Sequence, residues 1–134
     1  MTLNRRFAIA LGITALAGAA VVQAAELGKA AIPFAFEAGG QKLSAGTYTT
    51  VSGPGGDVLI RNVTTNEAAF VMPRPTGIVH NGDSKLTFSC YGSNCFLSKM
   101  QFGGTQRTYQ VPRSRHEREL AKAERSEETL IAMR

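Results

Sequence analysis

From residue 31 to residue 111 apolar and polar side chains alternate in short runs separated by glycine, proline and asparagine. Ile32, Phe34 and Phe36 fall on one face and Pro33, Ala35 and Glu37 on the other, a period of two that reads as a strand. Pro33 has no N–H to give to a ladder, which places this strand at a sheet edge. Gly39-Gly40 interrupts the run, and residues 43–46 form a turn into a second strand over 47–51, rich in β-branched and aromatic residues. Gly53-Pro54-Gly55-Gly56 is the strongest turn signal in the chain. Residues 58–63 and 68–72 then predict a hairpin about Thr64-Thr65-Asn66. Pro73 and Pro75 close it, and 74–83 reads as a surface loop with room for one short strand at 77–79. A second hairpin is predicted from 85–91 and 94–102, with Leu86, Phe88 and Cys90 sharing a face, and a last strand over 107–111. The pattern as a whole predicts a mainly β fold, a small antiparallel barrel or sandwich of six to eight strands followed by a C-terminal α-helix.

The pattern changes sharply at Pro112. Residues 113–134 carry six basic and five acidic side chains and neither glycine nor proline, a composition that predicts a charged helix. Ser114 and Glu117 have the spacing of a capping box. Arg115 with Glu119 and Arg125 with Glu128 are at helical contact spacing, but Arg118 with Lys122 and Glu124 with Glu128 oppose them. Leu120 and Ala123 are followed by Glu124 and Glu127, so the middle of this helix is expected to face water.

At the other end, Arg5-Arg6 precede an apolar run over 7–22 and then Val22-Gln23-Ala24. The run is shorter than the roughly 20 residues that cross a bilayer, and small residues follow it, as in a secretory signal peptide. Cleavage is expected after Ala24 or after Ala25. The chain thus divides into a signal peptide over 1–24, a β domain over 25–112 and a charged helix over 113–134. No second long apolar run follows, so no membrane span is expected once the leader is removed. The implied destination is the periplasm or the medium.

Composition narrows the functional classes. Loss of Arg5 and Arg6 lowers the formal charge from +5 to +3, with the remaining basic residues scattered, which argues against nucleic acid as a partner. Seven Phe and three Tyr supply an aromatic core, while the absence of Trp lowers the prospect of sugar stacking. Cys90 and Cys95 flank Tyr91-Gly92-Ser93-Asn94, and Gly-Ser at the centre suits a two-residue type II′ turn. Tyr91 then opposes Asn94, and Cys90 and Cys95 become the adjacent non-hydrogen-bonded pair, within disulfide reach. A zinc site from Cys90, Cys95, His80 and His116 is the sharper alternative, but nothing in the sequence brings the histidines to the hairpin. His80 with Asp83 could be written into a hydrolase triad, yet no Gly-x-Ser-x-Gly elbow accompanies them. Glu37, Asp57 and Asp83 sit near turns, where carboxylates serve local hydrogen bonding. Gly53, Gly55 and Gly56 lack the Lys-Ser/Thr of a phosphate loop, and Asn62-Val63-Thr64 matches a glycosylation acceptor. No catalytic, cofactor-binding or metal-binding set emerges, and no enzymatic activity is expected.

The stretch Ile32-Pro33-Phe34-Ala35-Phe36-Glu37-Ala38-Gly39-Gly40-Gln41-Lys42-Leu43-Ser44-Ala45-Gly46-Thr47-Tyr48 resembles an uncharacterised family of small exported proteins of acidobacterial soil bacteria. Lys85-Leu86-Thr87-Phe88, Tyr91-Gly92, Phe96-Leu97-Ser98 and the charged segment from Glu117 to Lys122 are similar too, so the resemblance covers most of the chain after the leader. It implies a compact β domain with a polar helical tail, and no activity or ligand. Ser44 stands where that family usually has proline, and the cysteine pair is not one of its features. The function expected from these readings is a non-enzymatic envelope or extracellular module that binds a protein partner through the C-terminal helix or an edge strand near Pro33. The alternative is a carrier of a small apolar ligand with a lipocalin-like interior.

Overall fold

A computed structural model describes residues 25–78, 82–104 and 106–134. The expected leader over 1–24, Ala24 included, lies outside the described residues, as does His80. The fold is mainly β, two sheets packed as a sandwich with one helix near the C-terminal end. The first sheet has the order β1 (Ala25–Ile32), β4 (Gly46–Ser52), β5 (Val58–Asn62), β6 (Ala68–Val71). The second has the order β11 (Glu127–Ala132), β8 (Lys85–Tyr91), β9 (Asn94–Phe102), β10 (Arg107–Gln110), β7 (Arg74–Ile78). A short strand β2 (Phe36–Ala38) joins β9 in parallel through Glu37 and Phe96 and pairs with β3 (Gln41–Leu43). Helix α1 (Arg115–Ala123) connects β10 to β11.

The described residues contain eleven strands, more than the six to eight expected. Four departures account for the excess, three of them ahead of the tail. Pro33 ends β1 and hands the chain from the first sheet to the second, so the alternation of Ile32, Phe34 and Phe36 continues across a break and not along one strand. Gly39 and Gly40, at φ +57° and +79°, close a two-residue turn between β2 and β3, which only residues tolerant of left-handed backbone form cheaply. Residues 74–78 form β7, whose exposed, bulged edge position tolerates Pro75.

The tail is the largest correction. The helix stops at Ala123, with Glu124 extended, and Glu127–Ala132 is a strand paired antiparallel with β8 from Lys85 to Cys90. Period-two burial explains it: Thr129, Ile131 and Met133 turn inward, Leu130 and Ala132 outward. A strand that completes a sheet satisfies main-chain groups of β8 that a helix could not. The residues of 113–134 are therefore built into the sandwich.

Inward side chains of both sheets meet in one core that includes Ile32, Phe36, Tyr48, Ile60, Val71, Leu86, Phe88 and Met100. Phe36 sits edge-on to Tyr48 and to Phe88, each at 5.2 Å, and Phe34 edge-on to Phe88 at 5.1 Å. Those rings occupy the space between the sheets where a carrier would hold its ligand. The Tyr48 hydroxyl donates to the Ser44 carbonyl at 2.6 Å and pins the entrance to β4.

Candidate functional site

The β8–β9 hairpin carries the first group of predicted residues. Tyr91 opposes Asn94 and Cys90 opposes Cys95, the register that the spacing predicts, with Gly92 at φ +62° in the first central position of the turn. Cys90 and Cys95 form a disulfide with a Cα separation of 3.9 Å. Thr129 Oγ1 of β11 lies 3.9 Å from Cys90 Sγ, so the bond is flanked by the tail strand.

Helix α1 docks beside this hairpin through polar groups. Ser114 is its N-cap, and its hydroxyl accepts from the Glu117 N–H at 3.1 Å. The Glu117 side chain turns away from the cap and is 3% exposed, the one buried residue of the helix. The Tyr91 hydroxyl donates to Glu117 Oε2 at 2.9 Å, and Arg113 Nε stands 3.7 Å from the same oxygen. Burial, and then the hydrogen bond to Glu117, push the Tyr91 hydroxyl above the ordinary tyrosine pKa, which keeps it a donor through the neutral range. On the next position His116 Nδ1 meets Glu37 Oε2 of β2 at 3.0 Å, and its ring stands edge-on to Phe96 at 5.3 Å. A helix with hardly any apolar side chain to bury is held by a carboxylate, a phenol and an imidazole.

These contacts engage Cys90, Cys95 and His116, three of the four residues of the zinc alternative. Both sulfurs are oxidised, His116 is engaged by Glu37, and among the described residues no cluster of three or more His, Cys, Asp or Glu has metal-binding geometry. The other candidates stand apart. Asp57 accepts from the Gly55 N–H at 3.3 Å within its own turn. Asp83 lies in the connection before β8, where its carbonyl accepts from Gln101 Nε2 at 3.0 Å. Asn62 is 2% exposed, and its Oδ1 accepts from the N–H groups of Thr64 at 2.8 Å and Thr65 at 2.9 Å. The acceptor asparagine of the matched glycosylation triplet is thus buried and spent on its own turn, while Val63 and Thr64 are exposed. Glu67 accepts from the Ser44 and Thr65 hydroxyls, which lower its pKa, and ties β6 to the start of β4.

The edge of β1, which leads to Pro33, adjoins the tail strand. Lys29 and Arg134 exchange two main-chain hydrogen bonds, each 2.9 Å, and join the two sheets at one corner. Because Lys29 points its N–H and C=O away from β4, Ala31 does so too, while Ala30 and Ile32 serve the ladder. Met133 donates to Ser84 on the β8 side, so Arg134, Ala132 and Leu130 direct their main-chain groups toward β1. β1 and β11 are not paired as strands: β1 pairs with β4 and β11 with β8. The seam is closed at Lys29 and Arg134 and opens beyond them into a cleft of about 270 Å³ lined by Ala31, Thr47, Leu130, Ile131 and Ala132 with that pair. Sequence reasoning placed an edge at Pro33 but missed its neighbour, whose only signal was the period-two spacing of Thr129, Ile131 and Met133.

Elsewhere Val51, Leu59 and Phe70 lie in register across the outer face of the first sheet, and Phe70 is 64% exposed. A smaller cleft of about 150 Å³ lies between the β2–β3 turn and the disulfide hairpin, with Phe36, Glu37, Lys42, Asn94 and Cys95 on its walls.

No protein-family model, curated protein or solved structure matches this chain. No helix among the described residues is long and apolar enough to cross a membrane.

Proposed function

We propose that this chain is an exported, non-enzymatic β-sandwich that binds a protein partner at the cell envelope or outside the cell. The observation that carries the reading is the edge of β1 that leads to Pro33, which β11 adjoins without pairing as a strand and which borders a cleft lined by Ala31 and Thr47. The apolar run over 7–22 and the disulfide fit an oxidising destination. Of the two contact elements considered from sequence, the edge near Pro33 is favoured over the helix, because α1 already spends Glu117 and His116 on its own domain. The filled interior favours partner binding over carriage of an apolar ligand.

A photoreactive residue at position 31, with position 122 on the exposed helix as control, tests the reading in the native cell. The expected result is a discrete protein adduct from position 31 only, on a chain that mass spectrometry shows to start after residue 24 or 25. Recovery of intact Met1 with free thiols from the cytosol would remove the exported reading. Absence of any protein adduct at position 31 would remove the binding reading.

A further inference from the structure

We infer that two copies of this chain pack together through the outer face of the first sheet, related by a twofold axis that runs across the strands. The inference does not rest on the partner reading, which uses the edge of β1 and not the face of the sheet. Outward side chains fall in two neighbouring rows. One row is Glu26, Val51, Leu59 and Phe70, and the other is Lys29, Thr49, Arg61 and Ala68, each in register from β1 to β6. Val63 and Met72, 48% and 60% exposed, continue the outward positions of β5 and β6. With Phe70 they make three of the five large apolar side chains that stand exposed among the described residues. Apolar side chains gathered on one face mark an association surface.

The two rows complement each other, which is why a second copy fits the face. A twofold axis midway between them lays each strand antiparallel on its own counterpart and each row on the other row. Glu26 then meets Lys29 of the second copy, and Lys29 meets its Glu26. Both side chains are exposed, and among the described residues neither forms an ion pair within the chain. Phe70 lands on Ala68, large against small, and the Arg61 stem lands on Leu59 with its guanidinium over Phe70. An axis along the strands would instead set β1 on β6 and leave Glu26 facing Phe70, unpaired. The four strands at about 4.8 Å spacing, with about six residues each at about 3.3 Å, give a flat footprint of roughly 400 Å² per copy. A standard interface takes about 800 Å² per partner, so self-association of micromolar strength is expected.

Sedimentation equilibrium of the purified chain is expected to show a monomer–dimer equilibrium with a dissociation constant of roughly 10–100 µM. A chain that is still monomeric at about 1 mM would overturn the inference. Phe70→Asp places a charge at a position 64% exposed and should abolish the dimer, with the melting temperature close to that of the native chain. Glu26→Lys and Lys29→Glu each set like charges across the axis and should weaken the dimer about tenfold, whereas the double swap should restore it. Both swaps lie at exposed positions and the double variant keeps the native net charge, so they decide the matter even if Phe70→Asp lowers stability. Isotope-labelled and unlabelled chains, mixed and treated with a zero-length carbodiimide, should give a Glu26–Lys29 crosslink that joins one labelled to one unlabelled peptide. A dimer that persists in Phe70→Asp and is lost in Ile78→Asp would place the contact at the β7 edge and overturn the inference. A double swap no tighter than the single variants, or a Glu26–Lys29 crosslink found only within single chains, would overturn it as well.

Discussion

Replacing Tyr91 by Phe isolates what holds α1 to the sandwich. The change removes one oxygen, which donates 2.9 Å to Glu117 Oε2 where both side chains are buried. Glu117 is left with Arg113 Nε at 3.7 Å, a distance beyond a good hydrogen bond, so its charge stays buried and poorly paired. Hydrogen bonds to a charged group contribute about 1.5–3 kcal/mol, and a loss near 2 kcal/mol is expected in urea unfolding at neutral pH. Glu117→Leu alone should cost a similar amount by orphaning the phenol. The double variant should cost much less than the two losses together, because it removes donor and acceptor at once. Alkali gives an independent check. Burial first, and the bond to Glu117 second, raise the Tyr91 pKa above its ordinary value of 10.0. The neutral phenol therefore stabilises the fold fully below that ordinary value, and the contribution is lost as pH rises through the higher folded-state value. The stability gap between the native chain and Tyr91→Phe should close in that alkaline range. A neutral-pH loss under about 0.5 kcal/mol, or a gap that persists in alkali, would refute the account of the Tyr91–Glu117 hydrogen bond as a buried anchor of α1.

Replacing both Cys90 and Cys95 by Ser should cost about 2 kcal/mol by the loop-entropy estimate, with the Tyr91–Asn94 register kept in amide nuclear Overhauser contacts. Gly39→Ala should be far worse than Gly40→Ala in thermal unfolding: a Cβ at Gly39 would stand 2.1 Å from the Phe70 carbonyl oxygen, whereas Gly40 faces open space and carries only the left-handed backbone cost of about 1–2 kcal/mol. Met133→Ala should cost about 2–4 kcal/mol in urea unfolding, since Met133 is buried next to Thr50 in the core beneath the Lys29–Arg134 corner. Truncation after Ser126 should leave no cooperative transition in circular dichroism; a folded truncated chain would contradict the placing of β11 in the sheet.

What could be read from the sequence divides by how local the determining contacts are. Both predicted hairpins, the turn at Gly92-Ser93 and the cysteine register follow from residues a few positions apart, and β5, β6, β8, β9 and β10 lie close to where alternation put them. The helix start was equally local, set by Ser114. β1 escaped because Ala25–Ile32, rich in alanine and carrying Gly28, Glu26 and Lys29, has little intrinsic strand preference; its pairing with β4 supplies what propensity does not. β11 escaped for the opposite reason. Eleven charged side chains over 113–134 describe a solvated helix, and only the vacant edge of β8, some 40 residues away in sequence, turns Glu127–Ala132 into a strand. Glu117 was read as half of a capping box, a reading that aims its carboxylate at its own backbone; the buried phenol of Tyr91 competes for the same oxygens and takes them. The candidate seam is made of these two misread ends of the chain. Neither Ala31 nor Ala132 carries a chemical signal of its own, and the cleft that they line arises only when β1 and β11 are laid side by side without pairing as strands.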